Sequence, residues 1–339
     1  MKEREKVLEV KNLKVSFNSN GHELKAVQDI SFYLNRGEIL AIVGESGSGK
    51  SITAQSIMGI IQDYTSVKRE GNIIYKDLDL TTLSEKEMGT IRGSKIAMVF
   101  QNYSSSLNPT MKIGKQIQES LIKHQDLQKA IAYKKSIEAL RRVGIKNPEE
   151  WYYQYPHQLS GGMGQRVMIA IALACNPDIL ICDEPTTALD INNQRQIINL
   201  LEEIQDKLST SIIFITHNLK LINNFAHRLL IMYGGLIVER GPVKEIEKNP
   251  SHPYTRGLYK SILQRELRPK EKLYTIEGSP PNIKNLPKGC PFYPRCQYAM
   301  KICVNTRAEE IEVKDGHKVA CWLYHHLCQR TEKRGEDFG

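Results

Sequence analysis

A glycine-rich loop between an apolar run and a helical pattern constrains this 339-residue chain more than any other feature. The apolar run spans residues 39–43, and the helical pattern spans residues 52–61. The G-x-x-x-x-G-K-[ST] loop between them consists of Gly44, Glu45, Ser46, Gly47, Ser48, Gly49, Lys50 and Ser51. Its glycines let backbone N–H groups face phosphate oxygens, and the following helix adds its positive N-terminal end. The loop predicts nucleotide binding, with Lys50 meeting the β- and γ-phosphates and Ser51 ligating Mg²⁺.

Further apolar runs without alternation predict the rest of the core. They lie at residues 96–100, 179–182, 212–215 and 229–232. Such runs are typical of parallel strands that are covered on both faces. Helical patterns lie between several of them, which predicts an α/β core with a largely parallel sheet. The first thirty-odd residues alternate in polarity and predict antiparallel strands that flank this core.

The chain changes character twice along its length. Residues 101–159 contain no strand-like run, and Tyr133, Ile137 and Leu140 share one helical face before a helix stop at Gly144. We predict an inserted helical subdomain at about 101–160. Beyond about residue 265 the chain is rich in Pro, Lys and Cys. We therefore predict a nucleotide-binding domain over 1–265 and a separate C-terminal extension over 266–339.

Charge and hydropathy exclude some classes of protein. The net charge of +9 comes from 47 basic and 38 acidic residues spread along the chain, which favours a solvated surface over a nucleic-acid patch. The charged first residues precede no apolar signal core. The longest apolar run, 167–175, has nine residues, about half the number that a membrane-spanning helix needs. We expect no segment that crosses a membrane, so any work at a membrane requires other subunits.

Polar residues follow three of the predicted strands. Asp183 and Glu184 follow one of them, where Asp183 can hold Mg²⁺ through water and Glu184 can polarise the attacking water. His217 follows another and can hydrogen-bond the γ-phosphate, and Gln101 follows a third and can reach Mg²⁺ or water. Each residue alone is an ordinary strand end. Together with the phosphate loop they predict hydrolysis of the bound nucleotide.

A second glycine-rich segment gives the chain a specific resemblance. It consists of Leu159, Ser160, Gly161, Gly162, Met163, Gly164, Gln165 and Arg166, and it resembles the signature sequence of ATP-binding-cassette (ABC) ATPases. The segment 188–190, ending in Asp190, resembles the D-loop of that family, His217 its switch histidine, and Phe17 the aromatic residue that stacks on adenine. The resemblance implies a P-loop NTPase fold and a head-to-tail dimer that encloses two ATP molecules. Residues 160–162 of one subunit would then meet the γ-phosphate that the other subunit holds.

Three residues depart from the family pattern. Met163 replaces a glutamine common in the superfamily but is usual among peptide-importer subunits. Gly164 stands where those relatives often carry Arg, and a glycine inside a helix costs about 1 kcal/mol relative to Ala. Asn218 stands where Asp is typical. None of these changes alters the nucleophile-activating or metal-binding positions, so we predict an intact hydrolytic site with Glu184 and His217 as its catalytic residues.

Several segments resemble the oligopeptide/dipeptide branch of importer ATPases in particular. They are residues 155–158, 183–190, 252–256, 278–281 and 289–291. This resemblance implies an ATPase that powers peptide uptake from the cytoplasmic face of a bacterial membrane as a peripheral subunit. It implies a second ATPase subunit, a paralogue in a heterodimer, and two integral membrane permease subunits. It also implies an extracellular peptide-binding protein that acts indirectly, and no nucleic acid.

Other functions remain open at this point. Nickel and other small-ligand importers share much of the same pattern. A soluble ABC ATPase of DNA or of the ribosome would need long heptad coiled coils or a second cassette, and the sequence has one phosphate loop and one signature. A regulatory cassette without catalysis is disfavoured by Glu184 and His217.

Five of the seven cysteines fall in the final fifty residues. Four of them, Cys290, Cys296, Cys303 and Cys321, are separated by five, six and seventeen residues. Zinc sites usually contain closer pairs, whereas four thiolates suit a [4Fe–4S] cluster. The spacing leaves metal and free thiols open. Relatives in the peptide-importer branch carry a cluster at this motif, so the resemblance implies iron–sulfur before zinc or free thiols, in a structural role. Cys175 and Cys182 read as core residues, and Cys328 receives no assignment.

Overall fold

The computed structural model describes residues 5–19, 22–61, 67–187, 189–267, 275–326 and 328, and the side chains of 19 and 263–267 are not described. The strands are β1 (Lys6–Ser19), β2 (His22–Asn35), β3 (Ile39–Val43), β4 (Val67–Tyr75), β5 (Leu78–Asp79), β6 (Ile96–Val99), β7 (Ile179–Asp183), β8 (Ser211–Thr216), β9 (Arg228–Tyr233), β10 (Leu236–Pro242), β11 (Ile311–Lys314) and β12 (His317–Val319). The helices are α1 (Lys50–Met58), α2 (Glu85–Ile91), α3 (Tyr103–Ser106), α4 (Ile113–Gln125), α5 (Lys129–Arg142), α6 (Pro148–Trp151), α7 (Gly161–Leu173), α8 (Ile191–Leu208), α9 (Val243–Lys248), α10 (Pro253–Leu267) and α11 (Lys301–Asn305).

An eight-stranded sheet organises the molecule, in the order β11-β12-β10-β9-β3-β8-β7-β6. The strands from β9 to β6 run parallel to one another, while β10, β12 and β11 are antiparallel. All five residues of β3 are buried, and Ile42 lies opposite both Ile215 and Leu230. The expectation of a largely parallel sheet from apolar runs without alternation is therefore confirmed.

Alternate residues of β3 face two different layers. Leu40 and Ile42 pack against the four-stranded antiparallel sheet, whose order is β2-β1-β4-β5. Ala41 and Val43 pack against the layer of helices that contains α7 and α8. Because both faces of β3 are covered, none of its side chains faces water and all of them can be apolar. The antiparallel flank predicted from the alternating first residues is confirmed.

Residues 101–160, all of which are described, contain helices α3 to α6 and no strand. Ile137 and Leu140 are buried in α5, and Tyr133 packs partly buried beside them. The helix ends at Arg142, and Gly144 then adopts a left-handed φ of 77°. The helical character of this segment and its stop signal are confirmed, and its status as a subdomain stays a prediction.

The C-terminal segment shares the main sheet with the core. Strand β12 pairs with β10, where Glu239 lies opposite Val319, and β11 pairs with β12. The separate extension was predicted from the content of Pro, Lys and Cys, and these two strands of four and three residues are too short to leave a pattern in the sequence. The expected boundary near residue 265 lies within the last turn of α10. In the described part of the chain, none of the helices combines the length and the apolarity that crossing a bilayer requires.

Candidate active site

The phosphate loop joins the buried end of β3 to the start of α1. Two of its glycines are required by close backbone contacts: a Cβ at Gly44 would lie 2.2 Å from the carbonyl oxygen of Met232, and one at Gly49 would lie 2.5 Å from that of Ala26. Gly49 also has a left-handed φ of 100° and caps α1 without a side chain. The first N–H groups of α1 are therefore open to an anion at its N-terminus.

Lys50 begins α1 and is 95% buried, with 5% of its surface exposed. Its ammonium group donates hydrogen bonds to the carbonyl oxygens of Gly44 at 2.8 Å and Glu45 at 2.9 Å. Burial lowers the pKa of Lys50, while the carboxylates of Glu184 and Asp183 raise it. The charge of Lys50 thus lies inside the curl of the loop, where it can meet phosphate oxygens.

Ser51 and Asp183 meet across the site. The Ser51 hydroxyl donates to Oδ1 of Asp183 at 3.0 Å, although the two residues are 132 positions apart. Burial raises the pKa of Asp183, and the hydrogen bond from Ser51 lowers it. A hydroxyl and a carboxylate are hard oxygen donors of the kind that Mg²⁺ prefers, with phosphate and water as its remaining ligands. These residues fit the magnesium position predicted for them.

Three side chains converge on one carboxylate oxygen of Glu184. Its Oε2 accepts hydrogen bonds from Thr187 Oγ1 at 2.8 Å and Gln101 Nε2 at 3.4 Å, and it lies 3.2 Å from Nδ1 of His217. Glu184 itself has a left-handed φ of 49°, which is uncommon for a residue with a side chain. The contacts fix the carboxylate at the end of β7, facing the loop.

Most of these residues line a cleft of about 640 Å³, but Ser48, Asp183 and Thr187 do not. It is lined by Gly44, Glu45, Ser46, Gly47, Gly49, Lys50, Ser51, Ile52, Gln101, Glu184, His217 and Leu258. Phe17 does not line this cleft and packs, half-buried, with the antiparallel sheet. Its stacking on adenine therefore stays a prediction.

The signature segment lies at the start of another helix. Ser160 is exposed and caps α7 without a side-chain hydrogen bond, and Gly162 packs closely against Asn193. Asp190 caps α8 by accepting from the backbone N–H of Asn193 at 2.9 Å. Ser160, Gly161, Gly162 and Asp190 do not line the cleft, so their contact with a nucleotide on another subunit stays a prediction. Ala188 of the D-loop lies outside the described residues.

Three residues that sequence reasoning missed touch this site. Thr187 donates to Glu184, Tyr254 accepts from the backbone N–H of Glu45 at 2.9 Å, and Arg295 pairs with the Glu45 carboxylate at 2.8 Å. Tyr254 belongs to the 252–256 segment that carried a family resemblance but no assigned role. Thr187 lies only three residues from Glu184, whereas the two contacts of Glu45 span more than 200 positions and leave no local pattern in a sequence.

The four C-terminal cysteines line one small cavity of about 20 Å³. Burial, together with a smaller contribution from the neighbouring thiols, raises the pKa of Cys290 to about 11 and that of Cys321 to about 12. Within the described residues, no three or more His, Cys, Asp or Glu side chains are grouped to hold a metal ion. The cysteines therefore share one cavity, but their sulfurs are not arranged around a single ion.

The two remaining cysteines with a sequence assignment behave as core residues. Cys182 is fully buried in β7, and Cys175 is half-buried against the helical layer. Burial raises the pKa of both thiols, so they stay protonated at neutral pH.

The loop at a helix N-terminus, the strand-end carboxylates and the histidine after the neighbouring strand define a P-loop nucleoside triphosphatase of the ATP-binding-cassette class. A family model described as ABC transporter matches residues 27–187, and one described as oligopeptide/dipeptide transporter, C-terminal region, matches residues 238–303. The chain belongs to the ABC transporter family, in the group of oligopeptide and dipeptide transport ATP-binding proteins.

Relatives cover nearly the full chain. It is 50% identical to the oligopeptide transport ATP-binding protein OppD of Bacillus subtilis (strain 168), over 96% of this chain and 91% of that protein. It is 46% identical to the dipeptide transport ATP-binding protein DppD of the same organism, over 98% and 99%. It is 47% identical to DppD of Lactococcus lactis subsp. cremoris (strain MG1363), over 94% and 91%.

Solved structures match the cassette. The dimeric post-hydrolysis ATP-binding cassette MJ0796, bound to ADP and Pi, is 27% identical with a TM-score of 0.63, and the match covers 70% of this chain and 99% of that one. The cbiO1 protein of Clostridium perfringens, part of the cbiONQ transporter complex, has the same identity and TM-score over 78% and 96%.

Proposed function

We propose that this chain is the ATP-hydrolysing subunit that powers peptide import through a membrane ABC transporter. The carrying observation is the convergence of Gln101, Thr187 and His217 on Glu184 beside the loop that holds Lys50. Relatives that are 46–50% identical over nearly the whole chain support oligopeptides or dipeptides as the cargo. Their match extends through the C-terminal segment, whose family model is specific to oligopeptide/dipeptide transporters.

The site divides the work of hydrolysis among its residues. The loop N–H groups and Lys50 bind the β- and γ-phosphates, and Ser51 with Asp183 would hold Mg²⁺, which neutralises developing phosphate charge. Glu184 orients the attacking water and takes up its proton. His217 and Gln101 hold the Glu184 carboxylate and the water in line with the γ-phosphate. Residues 160–162 and Asp190 of a second ATPase subunit would complete the pocket from across the dimer.

The same proposal places the chain in a larger assembly. Two ATPase subunits, of which this chain and a paralogue form a heterodimer, would sit peripherally on the cytoplasmic face of the membrane beneath two permease subunits. An extracellular binding protein would deliver the peptide. Closing of the dimer on ATP and its opening after hydrolysis provide the two states that a transport gate needs.

Reconstitution tests this function. The chain is purified with its permease and ATPase partners in proteoliposomes, and uptake of labelled di- and oligopeptides is measured with and without ATP. We expect ATP-dependent peptide uptake that Lys50→Ala abolishes and that Lys86→Ala, an exposed control outside the cleft, leaves intact. Uptake of Ni²⁺ instead of peptide would identify a metal importer and refute the peptide assignment.

We also propose that the four clustered cysteines hold a structural [4Fe–4S] cluster. Their shared cavity supports this, because all four cysteines line it and four cysteine thiolates are the ligand set of such a cluster. Ligand thiols must lose their protons, so binding would overcome the raised pKa of Cys290 and Cys321. Protein purified without oxygen should contain iron and sulfide and should absorb broadly in the visible range. The Cys303→Ser substitution should reduce all three signals. Stoichiometric zinc, or no metal, would contradict the cluster.

A further inference from the structure

Glu45, the second residue of the phosphate loop, is held by three different side chains. Its N–H donates to the hydroxyl of Tyr254 at 2.9 Å, and its carbonyl accepts from Lys50 at 2.9 Å. Its carboxylate accepts from Nη1 of Arg295 at 2.8 Å. Only Lys50 belongs to the loop itself. The conformation of this loop residue is thus set largely from the C-terminal third of the chain.

The Arg295 side chain is fixed before it reaches Glu45. It is only 6% exposed, and its Nε donates to the carbonyl of Glu277 at 2.9 Å. Its Nη2 donates to the carbonyl of Ile276 at 3.1 Å, and Nη1 also reaches the hydroxyl of Tyr233 at 3.1 Å. A guanidinium with this many partners has one orientation, and it keeps its charge when buried.

The charge of Glu45 matters because this residue lines the nucleotide cleft. An uncompensated carboxylate there would repel the phosphates of ATP, and the repulsion is strong where water is partly excluded. Arg295 cancels that charge from behind the loop. The carboxylate of Glu45 hydrogen-bonds to Arg295, whereas Lys50 hydrogen-bonds to the backbone carbonyl of Glu45 and not to its carboxylate.

Arg295 is joined directly to the cysteine cavity. It immediately precedes Cys296, and the short helical turn that contains it begins at Tyr293. The backbone N–H of Tyr293 donates to the carbonyl of Cys290 at 3.1 Å, and that of Cys296 donates to the carbonyl of Tyr293 at 3.2 Å. The backbone between Cys290 and Cys296 therefore determines the position of the Arg295 guanidinium.

We propose that Arg295 is a positioning residue through which the cysteine-bearing segment sets the affinity of the phosphate loop for ATP. This inference rests on the proposed ATP binding. It adds a structural connection through which a change at the four thiols would alter the affinity for ATP. A cysteine segment that loses its shape withdraws Arg295 from Glu45, and the loop then binds ATP more weakly. Arg295 hydrogen-bonds to Glu45, Tyr233 and the carbonyls of Ile276 and Glu277 and not to Glu184, so we expect turnover at saturating ATP to stay unchanged.

The first test separates positioning from general stability. Arg295→Gln should raise both the Kd and the KM for ATP about tenfold, as expected for a lost charge-assisted hydrogen bond, with kcat kept. Arg256→Gln is the matched control, because Arg256 joins α10 to the hydroxyl of Tyr324 in the same C-terminal region without touching the loop. Equal Kd values for the two variants would overturn the proposal.

The second test asks whether the effect passes through Glu45. In a Glu45→Gln background, Arg295→Gln should raise the Kd for ATP less than twofold. Cys296→Ser should raise it severalfold in the wild-type chain and not in the Glu45→Gln background. An undiminished effect in that background would show that Arg295 acts through general stability and would refute the inference. Should Arg295→Gln not fold, the Cys296→Ser pair alone decides.

A third test distinguishes a failure of this inference from a failure of the proposed ATPase function. Lys50→Ala is measured in parallel for ATP binding. If Lys50→Ala abolishes binding while Arg295→Gln leaves it unchanged, the positioning role is wrong and the nucleotide site stands. If the wild-type chain itself binds no ATP, the proposed function fails together with the inference.

Discussion

The ring of Tyr103 occupies the space that a side chain at Gly164 would need, since a Cβ built there would lie 2.3 Å from Cδ2 of Tyr103. Tyr103 begins α3, two residues after Gln101, and Gly164 lies in the first turns of α7, which the signature segment opens. The contact therefore connects the residue beside Glu184 to the signature helix. A side chain at position 164 would displace Tyr103, so this contact requires a glycine in the helix.

Substitution of Gly164 tests that contact. Gly164→Ala should destabilise the protein by about 1–3 kcal/mol, because the added methyl group displaces Tyr103. Gly89→Ala is the matched control, since Gly89 also lies in a helix but has nothing within 4 Å of its Cβ position. The control should be neutral or stabilise by about 1 kcal/mol. Urea unfolding measures both variants.

A second substitution shows whether Tyr103 is the obstacle. Tyr103→Ala should relieve most of the cost of Gly164→Ala in the double variant, which a double-mutant cycle detects as a coupling energy. We expect the single Gly164→Ala variant to lose ATPase activity as well. The double variant should be more stable than the single variant, whether or not its ATPase activity returns. Additive effects of the two substitutions would contradict direct contact.

Glu184→Gln should separate binding from hydrolysis. The amide cannot accept a proton from water, so kcat should fall by at least about 10². ATP affinity should stay within about twofold, because Lys50 and the loop are unchanged. Phosphate release and equilibrium binding are the two measurements, with the exposed Glu203→Gln as control. Unchanged turnover in the Glu184→Gln variant would show that Glu184 is not the proton acceptor.

Thr187→Val should lower turnover without altering nucleotide affinity. The substitution keeps the shape of the side chain and removes the 2.8 Å hydrogen bond to Glu184. The loss of one such bond is worth about 0.5–1.5 kcal/mol, or roughly a twofold to tenfold decrease in kcat. Thr187→Ser restores the hydroxyl and should restore the rate. A serine variant as slow as the valine variant would assign Thr187 a packing role only.

His252 gives the fold a defined loss of stability in acid. Burial lowers the pKa of this histidine from 6.5 to about 4, with Glu239 opposing the shift and Arg256 adding to it. Between these two pH values the unfolded chain binds a proton that the folded chain does not. Stability is therefore full above pH 6.5 and falls as the pH decreases toward 4, by about 3 kcal/mol from this residue.

The His252→Asn variant isolates this contribution. Asn can replace Nδ1 of His252, which accepts from the N–H of Tyr254 at 3.1 Å. The free energy of unfolding, measured by urea at several pH values, should decrease less steeply below pH 6.5 in the variant than in the wild type. Parallel curves for the two proteins would assign the acid sensitivity to other groups.

Much of the fold was predictable because its cause is local. A strand buried on both faces, such as Ile39–Val43, must be apolar throughout, and a phosphate loop needs glycines where the backbone approaches Met232 and Ala26. The positions of Asp183, Glu184 and His217 follow from the rule that parallel strands end at one edge. These features can be read from windows of a few residues.

The rest of the site depends on contacts between distant parts of the chain. Arg295 and Glu45 are 250 positions apart, and neither Arg295 nor Tyr254 lies in a pattern that predicts a partner in the loop. The two short strands β11 and β12 were missed for a similar reason, since their pairing with β10 decides their structure. The positions of Phe17 and Asp190 relative to a nucleotide depend on molecules beyond this chain.

Strand β12 covers one side of β10, whose other side is occupied by β9. If the chain were cut before β11, the backbone amide and carbonyl groups along that side of β10 would lose their partners and become a template for strands of other molecules. We therefore expect forms that end before β11 to aggregate even where the phosphate loop is intact, because β12 no longer covers β10.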